Sequence, residues 1–261
     1  MLDRRGWWFP AALALALAIP VRAAGQPAAG PGQLTRDLAS EDDDVATAAA
    51  KKLGEAGGTN ALVTALAMGL RPPVAAEALA ALGKAREPRV LAVLLLYAGN
   101  VNLPVRLAAV KALGQQTDAK AIDVLVERLG DGQPQVRAAA AEALAARKVA
   151  RAYQRLFLLL SRNDAGAAAP VGALIPPTDV PRLAELHGRV DDTVLATALG
   201  EFLKRPEVPD RLRVDVVRTV GRLPGAGATA ALVEYLASVP EKDRRPSKDE
   251  AQRLIDQRSG Q

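Results

Sequence analysis

Cysteine is absent from the 261 residues. That excludes disulfides, thiolate nucleophiles, cysteine-ligated metals and a lipidated cysteine. His187 is the single histidine, so no set of histidine ligands can be assembled. Aromatic residues amount to 3% of the chain, and Trp7, Trp8 and Phe9 sit together near its start. Beyond them only Tyr97, Tyr153, Phe157, Phe202 and Tyr235 remain, a thin supply for stacking bases or caging a cationic ligand. Alternating apolar and polar runs, the mark of a strand, are also missing.

The N-terminal residues read as separate from the fold. Arg4 and Arg5 precede an apolar run over residues 7–19, followed by Pro20 and the small-residue site Val21-Arg22-Ala23. This is the order of a secretory signal peptide, and the run is shorter than the roughly twenty residues that span a bilayer. The expected organisation is a signal peptide over 1–23, a flexible lead-in over 24–33, a repeat array over 34–240 and a charged tail over 241–261 that holds one short helix near residues 248–257. Cleavage after Ala23 makes the protein exported, either periplasmic or secreted, with no stable membrane span. It also removes Asp3, Arg4, Arg5 and Arg22, a net two positive charges, which lowers the formal +5 to about +3. No nucleic-acid partner is expected from so small an excess.

What is present in abundance is repetition. Residues 45–54, 74–83, 105–114 and 136–145 are variants of one pattern, about thirty residues apart. In each, apolar residues take the first, fifth and ninth places, the spacing of one helical face: Val105, Ala109 and Leu113, then Val136, Ala140 and Leu144. Gly54, Gly83 and Gly114 stand where each helix is expected to stop in a left-handed cap. Pro73, Pro104 and Pro134 fall in first turns, where a missing N–H is harmless. Bulkier partner helices are predicted over 60–68, 88–98, 119–129, 150–160 and 180–187, with Asp118 and Thr178 as N-caps. A later copy over 166–174 is weakened by Pro170 and Gly172, and the copy over 212–221 arrives early, so the alternation slips after Leu203. The fold class is all-α, an armadillo-like α-solenoid of about six helix-turn-helix units.

On the residues Val105-Arg106, Ala108-Ala109 and Ala112-Leu113-Gly114, with their counterparts from Val136-Arg137 and Leu212-Arg213, the chain resembles the short HEAT repeats of the phycobilin-lyase type over roughly residues 34–238. The resemblance implies a ladder between successive units, with Asp131 and the arginines Arg106, Arg137 and Arg213 as its members. Asn100 stands where an Asp is expected before Arg106, and Ala46 and Ala75 replace the arginine in earlier copies. It also implies that the second helix of each unit lines the concave face.

No catalytic residue, metal site or cofactor is expected. A di-iron centre like that of the HEAT-like deoxyhypusine hydroxylase needs several histidines, and His187 reads as a helix-terminal residue. Bilin attachment would lack a cysteine, and HEAT-like DNA glycosylases need aromatics against the base. Glu41, Asp42, Asp43 and Asp44 lack the ligand spacing of a calcium loop and fit an N-terminal cap. The seventh and eleventh places of each copy point away from the apolar stripe and carry mostly cations. Lys84, Lys111, Glu142, Lys204, Arg218 and Arg222 are therefore the candidate contacts for a mildly acidic or polar protein partner. The irregular segment over 164–181 is a second candidate surface. The function expected is a non-catalytic scaffold of the bacterial cell envelope; the alternative is an accessory subunit or maturation factor of an envelope enzyme.

Overall fold

The computed structural model describes residues 30–259, so the expected signal peptide and most of the lead-in lie outside the described residues. Fifteen α-helices follow one another, and no strand is named among the described residues. They are α1 (Pro31–Asp37), α2 (Asp43–Glu55), α3 (Thr59–Met68), α4 (Pro72–Leu82), α5 (Pro88–Tyr97), α6 (Leu103–Gln115), α7 (Ala119–Arg128) and α8 (Pro134–Ala146). Then come α9 (Tyr153–Ser161), α10 (Ala168–Leu174), α11 (Pro181–Ala184), α12 (Asp192–Leu203), α13 (Asp210–Arg222), α14 (Gly225–Ser238) and α15 (Pro246–Ser259).

Most helices pack on the one after next. The even-numbered helices from α2 to α14 form a continuous stack, while α3, α5 and α7 stack alongside and α13 stacks on α15. The predicted stripes are the core of this arrangement: Val74, Ala78 and Leu82, then Val105, Ala109 and Leu113, then Val136, Ala140 and Leu144 are all buried. The odd helices answer with Leu62 and Leu66, Val90 and Leu94, Ala121 and Leu125. Residues one helical turn apart thus make one continuous core along the array.

The repeat glycines have a different role from the one expected. Helix α2 runs through Gly54 and α6 through Gly114, and Gly83 continues α4 at φ −55. Left-handed glycines occur instead at Gly57, Gly69, Gly188 and Gly225. A Cβ on Gly54 would lie 2.5 Å from the Ala81 Cβ, and one on Gly114 would lie 2.8 Å from the Ala143 Cβ. The glycines are there so that successive even helices can touch backbone to backbone.

Other boundaries also shift. Helix α1 already begins at Pro31, inside the expected lead-in. The helix expected over 180–187 shrinks to Pro181–Ala184, and Thr178 lies in a 3-10 turn rather than at an N-cap. Asp118 does cap α7, accepting from the Lys120 N–H at 2.8 Å. The charged tail folds into α15, which buries Ser247 and Ala251 against α13 and α14. The copy over 212–221 becomes α13, which stacks on α15 and leaves α12 to meet α14, so the alternation of layers continues there.

Candidate interaction surface

The loops between units are held by arginines. Arg106 Nε stands 3.0 Å from Asp131 Oδ2 and its Nη2 3.3 Å from Asp131 Oδ1, a two-pronged bond from α6 to the loop before α8. Arg106 also donates to the Asn100 carbonyl at 2.5 Å. Arg137 repeats the arrangement one unit later, 2.6 Å from Asp164 Oδ2 and 3.0 Å from the Asp131 carbonyl. Burial pushes the Asp131 carboxyl up, but the Gln133 N–H and Arg106 outweigh it and hold the pKa below the ordinary aspartate value.

Arg213 does not join this ladder. It bonds the end of α12 and the loop before its own helix, donating to the carbonyls of Leu203, Arg205 and Pro206. Three members were not foreseen. Asp164 takes the second carboxylate position, and Arg71 ties Ser40, Glu41 and Asp43 to the start of α4. The buried Gln116 donates to the carbonyls of Gly83 and Ala85 at 2.7 and 2.9 Å, closing the end of α4.

The even-helix stack carries a series of shallow grooves. One of about 450 Å³ between α2 and α4 is floored by Gly54 and Ala81 and rimmed by Lys51, Glu55, Glu77 and Lys84. The next, about 250 Å³ between α6 and α8, has Gly114 and Ala143 below Lys111 and Glu142. Lys84, Lys111 and Glu142 are exposed and make no ion pair among the described residues. A third groove of about 410 Å³ is rimmed by Lys148, Glu201, Lys204, Arg205 and Glu207.

The remaining candidates stand differently. Lys204 is 2.9 Å from Glu201 and 3.2 Å from Glu234; burial draws its pKa down, but the two carboxylates outweigh that and raise it. Arg218 is 3.1 Å from Glu250, whose carboxyl is pulled down to about 2 by Arg253 and then Arg218. Both cations are thus satisfied within the chain. Arg222 is exposed, but it and Arg218 sit on α13, which packs most closely on α15 and is not a member of the even-helix stack. Sequence spacing joined six residues into one stripe; the fold keeps Lys84, Lys111, Glu142 and an ion-paired Lys204 on the even-helix stack with Lys51, and carries Arg218 and Arg222 on α13 instead.

The other singled-out residues have structural duties. His187 Nδ1 is 3.0 Å from Asp192 Oδ1 at the start of α12, not at the end of a long helix. Asp42 caps α2, accepting from the N–H groups of Asp44 and Val45 at 2.9 and 3.3 Å. Within the segment over 164–181, Ile175 is buried and its carbonyl accepts from Arg205 at 2.5 Å. Tyr153 donates to Asp179 at 3.0 Å, and burial, then that carboxylate, push its hydroxyl pKa up to about 12. Among the described residues, no group of three or more acidic or histidine side chains is placed to hold a metal ion. No helix there is long and apolar enough to cross a membrane.

Helices packed in layers and joined by short turns define the chain as an armadillo-like or HEAT-like α-solenoid. A profile of HEAT repeats matches residues 59–145 and 102–175. No curated protein matches the chain. Among solved structures, the complex of CpcE and CpcF of phycocyanin lyase from Nostoc sp. PCC7120 is 21% identical, with 90% of this chain and 97% of that chain covered and a TM-score of 0.48. A designed armadillo repeat protein in complex with the peptide (KR)4 is 17% identical, covering 87% of this chain and 99% of that chain at a TM-score of 0.39.

Proposed function

We propose that the chain is a non-catalytic protein–protein interaction scaffold that binds a mildly acidic or polar partner along its even-helix stack. One observation carries this reading. Grooves between α2 and α4 and between α6 and α8 are floored by glycine and alanine, with Lys51, Lys84 and Lys111 exposed at their rims and in no ion pair among the described residues. Exposed cations in register along a rigid support favour a complementary acidic surface and speed its encounter. The working surface is Lys84, Lys111 and Glu142, to which Lys51 is added; Lys204, Arg218 and Arg222 are left out for the reasons given above.

The test is charge reversal after the partner has been recovered by affinity capture. Lys84→Glu with Lys111→Glu is expected to weaken binding at least tenfold, and more at low salt, with the thermal midpoint unchanged. Binding that survives the double reversal would sink this surface. Arg218→Glu should do the reverse, lowering stability through its repulsion from Glu250 while leaving affinity alone.

Export to the bacterial envelope is part of the proposal and is supported by Arg4, Arg5, the apolar residues 7–19 and Val21-Arg22-Ala23. N-terminal sequencing of the protein recovered from its native cells is expected to begin at Ala24. A chain that begins at Met1 would remove this part and leave the binding surface untouched.

A further inference from the structure

Helix α3 carries two apolar stripes. Leu62 and Leu66 face inward and are buried in the core. Ala61, Ala65 and Met68, spaced i, i+4 and i+7, form a second stripe beside the first. Further along the odd layer such a flank is covered, because α5 packs on α3 and α7 on α5. The seven-residue α1 packs chiefly on α2, so the place before α3 is only part-filled. The second stripe therefore lines a cleft of about 630 Å³, walled elsewhere by Leu38 at the end of α1 and by Leu70 and Val74 at the start of α4. Met68 is 83% exposed in it.

Charge decides what this cleft can take. Among the described residues, Arg71 is the one charged side chain in the lining. Its guanidinium donates to the Ser40 and Glu41 carbonyls and stands 2.9 Å from the Asp43 carboxylate. An anionic head group would have to displace that carboxylate, and a cationic one would meet Arg71 with no acid in the lining. The even-helix grooves, by contrast, are rimmed by charges of both signs. Of the polar groups in the lining, Thr35 donates to the Pro31 carbonyl at 2.9 Å and Ser40 accepts from the Asp42 N–H at 3.2 Å. The Asn60 amide and the Thr64 hydroxyl, one turn apart on α3, make no hydrogen bond among the described residues.

A mostly apolar hollow of several hundred Å³ with a few convergent polar groups is the form of a small-molecule site. Two turns of a peptide helix, about 10 Å across and about 11 Å long, occupy about 850 Å³ and exceed it. We propose that the cleft beside α3 binds a small uncharged amphiphile of the long-chain alcohol class. Its apolar body lies against Ala61, Ala65 and Met68, and its hydroxyl pairs with Asn60 and Thr64. The site is separate from the even-helix surface, and neither reading depends on the other.

The test uses two dyes with the same rings. N-phenyl-naphthylamine is uncharged, and anilinonaphthalene sulfonate adds one negative charge; both brighten in apolar surroundings. Protein recovered from its native cells is expected to bind the uncharged dye one to one, and the sulfonate about tenfold more weakly. Dodecanol should displace the bound dye, with ionised dodecanoate about tenfold less effective. Met68→Glu should abolish dye binding by charging the wall, and Ala65→Phe should do so by filling the space. Leu96→Glu, at an exposed apolar site outside the cleft, should leave it intact. Thr64→Val should keep the dye and raise several-fold the dodecanol needed to displace it. Failure of the uncharged dye to bind overturns the proposal, as does binding indifferent to both Met68→Glu and Ala65→Phe. Dodecanoate that displaces as well as dodecanol also overturns it, because the site would then select a carboxylate.

Discussion

Gly172→Ala is expected to lower the stability of the array by about 2 kcal/mol, read as a fall in the urea midpoint, although alanine is the better helix former. Gly172 is buried in α10, and a Cβ there would run into the Ala198 carbonyl oxygen of α12. It would also lie 2.8 Å from the Glu201 Cβ and 3.1 Å from the Ala198 carbonyl carbon. These are backbone and near-backbone atoms, so no rotamer change relieves the clash and α10 must move off α12. The propensity gain of about 1 kcal/mol opposes this and is outweighed by the cost of overpacking, which falls at the upper end of its usual 1–3 kcal/mol. Gly132→Ala is the control: its Cβ meets nothing within 4 Å, and its stability should stay within about 0.5 kcal/mol of the parent. A neutral Gly172→Ala would mean that α10 and α12 do not touch as closely as described.

Asp131→Ala is the second large effect, expected at about 3 kcal/mol. The Asp131 side chain is 6% exposed and that of Arg106 13%, so truncation leaves a nearly buried guanidinium facing no carboxylate and an unpaired Gln133 N–H. The partial exposure of Arg106 places the figure at the low end of what breaking a buried pair costs. Asp123→Ala, which removes an exposed pairing with Arg151, should cost under about 1 kcal/mol. The pH dependence separates charge from packing. The Asp131 pKa is lowered in the folded state, so its contribution is complete above the unfolded value of about 3.9 and is lost as the pH falls through the lower folded value. The gap between parent and Asp131→Ala should therefore narrow below about pH 4. An unchanging gap down to pH 2 would assign the loss to packing alone.

The repeat, its stripe of Val, Ala and Leu, and the order of helices were legible because they are local and periodic. Position within the layers was not. Lys111 and Arg218 occupy equivalent places in two copies of the same pattern, yet one helix joins the even stack and the other stacks on α15. Nothing in ten residues records which neighbours a helix will have. The glycines were misread for a related reason: Gly54 and Gly114 end the apolar pattern, but they stop at a neighbour and not at a turn. The small Ala81 and Ala143 opposite them were the available signal. Asp164 escaped because its unit departs from the pattern. The loop before it ends in Asn163, a non-glycine residue at φ 63, and α10 starts late behind a 3-10 turn.

The Arg106 and Arg137 joints have a direction. Each of these two arginines grips its own entering loop and reaches forward to the carboxylate of the following unit, whereas Arg71 and Gln116 reach back to the unit before. A unit therefore carries a plug at one end and a socket at the other. A tandem duplication of residues 131–163 would carry its own acid, Asp131, and its own arginine, Arg137, so the first copy's arginine would meet the second copy's acid and the second copy's arginine would meet Asp164. An array built this way can lengthen by copying itself without first inventing an interface. The shared Val-Arg-x-Ala-Ala pattern of α6 and α8 is what such growth would leave behind.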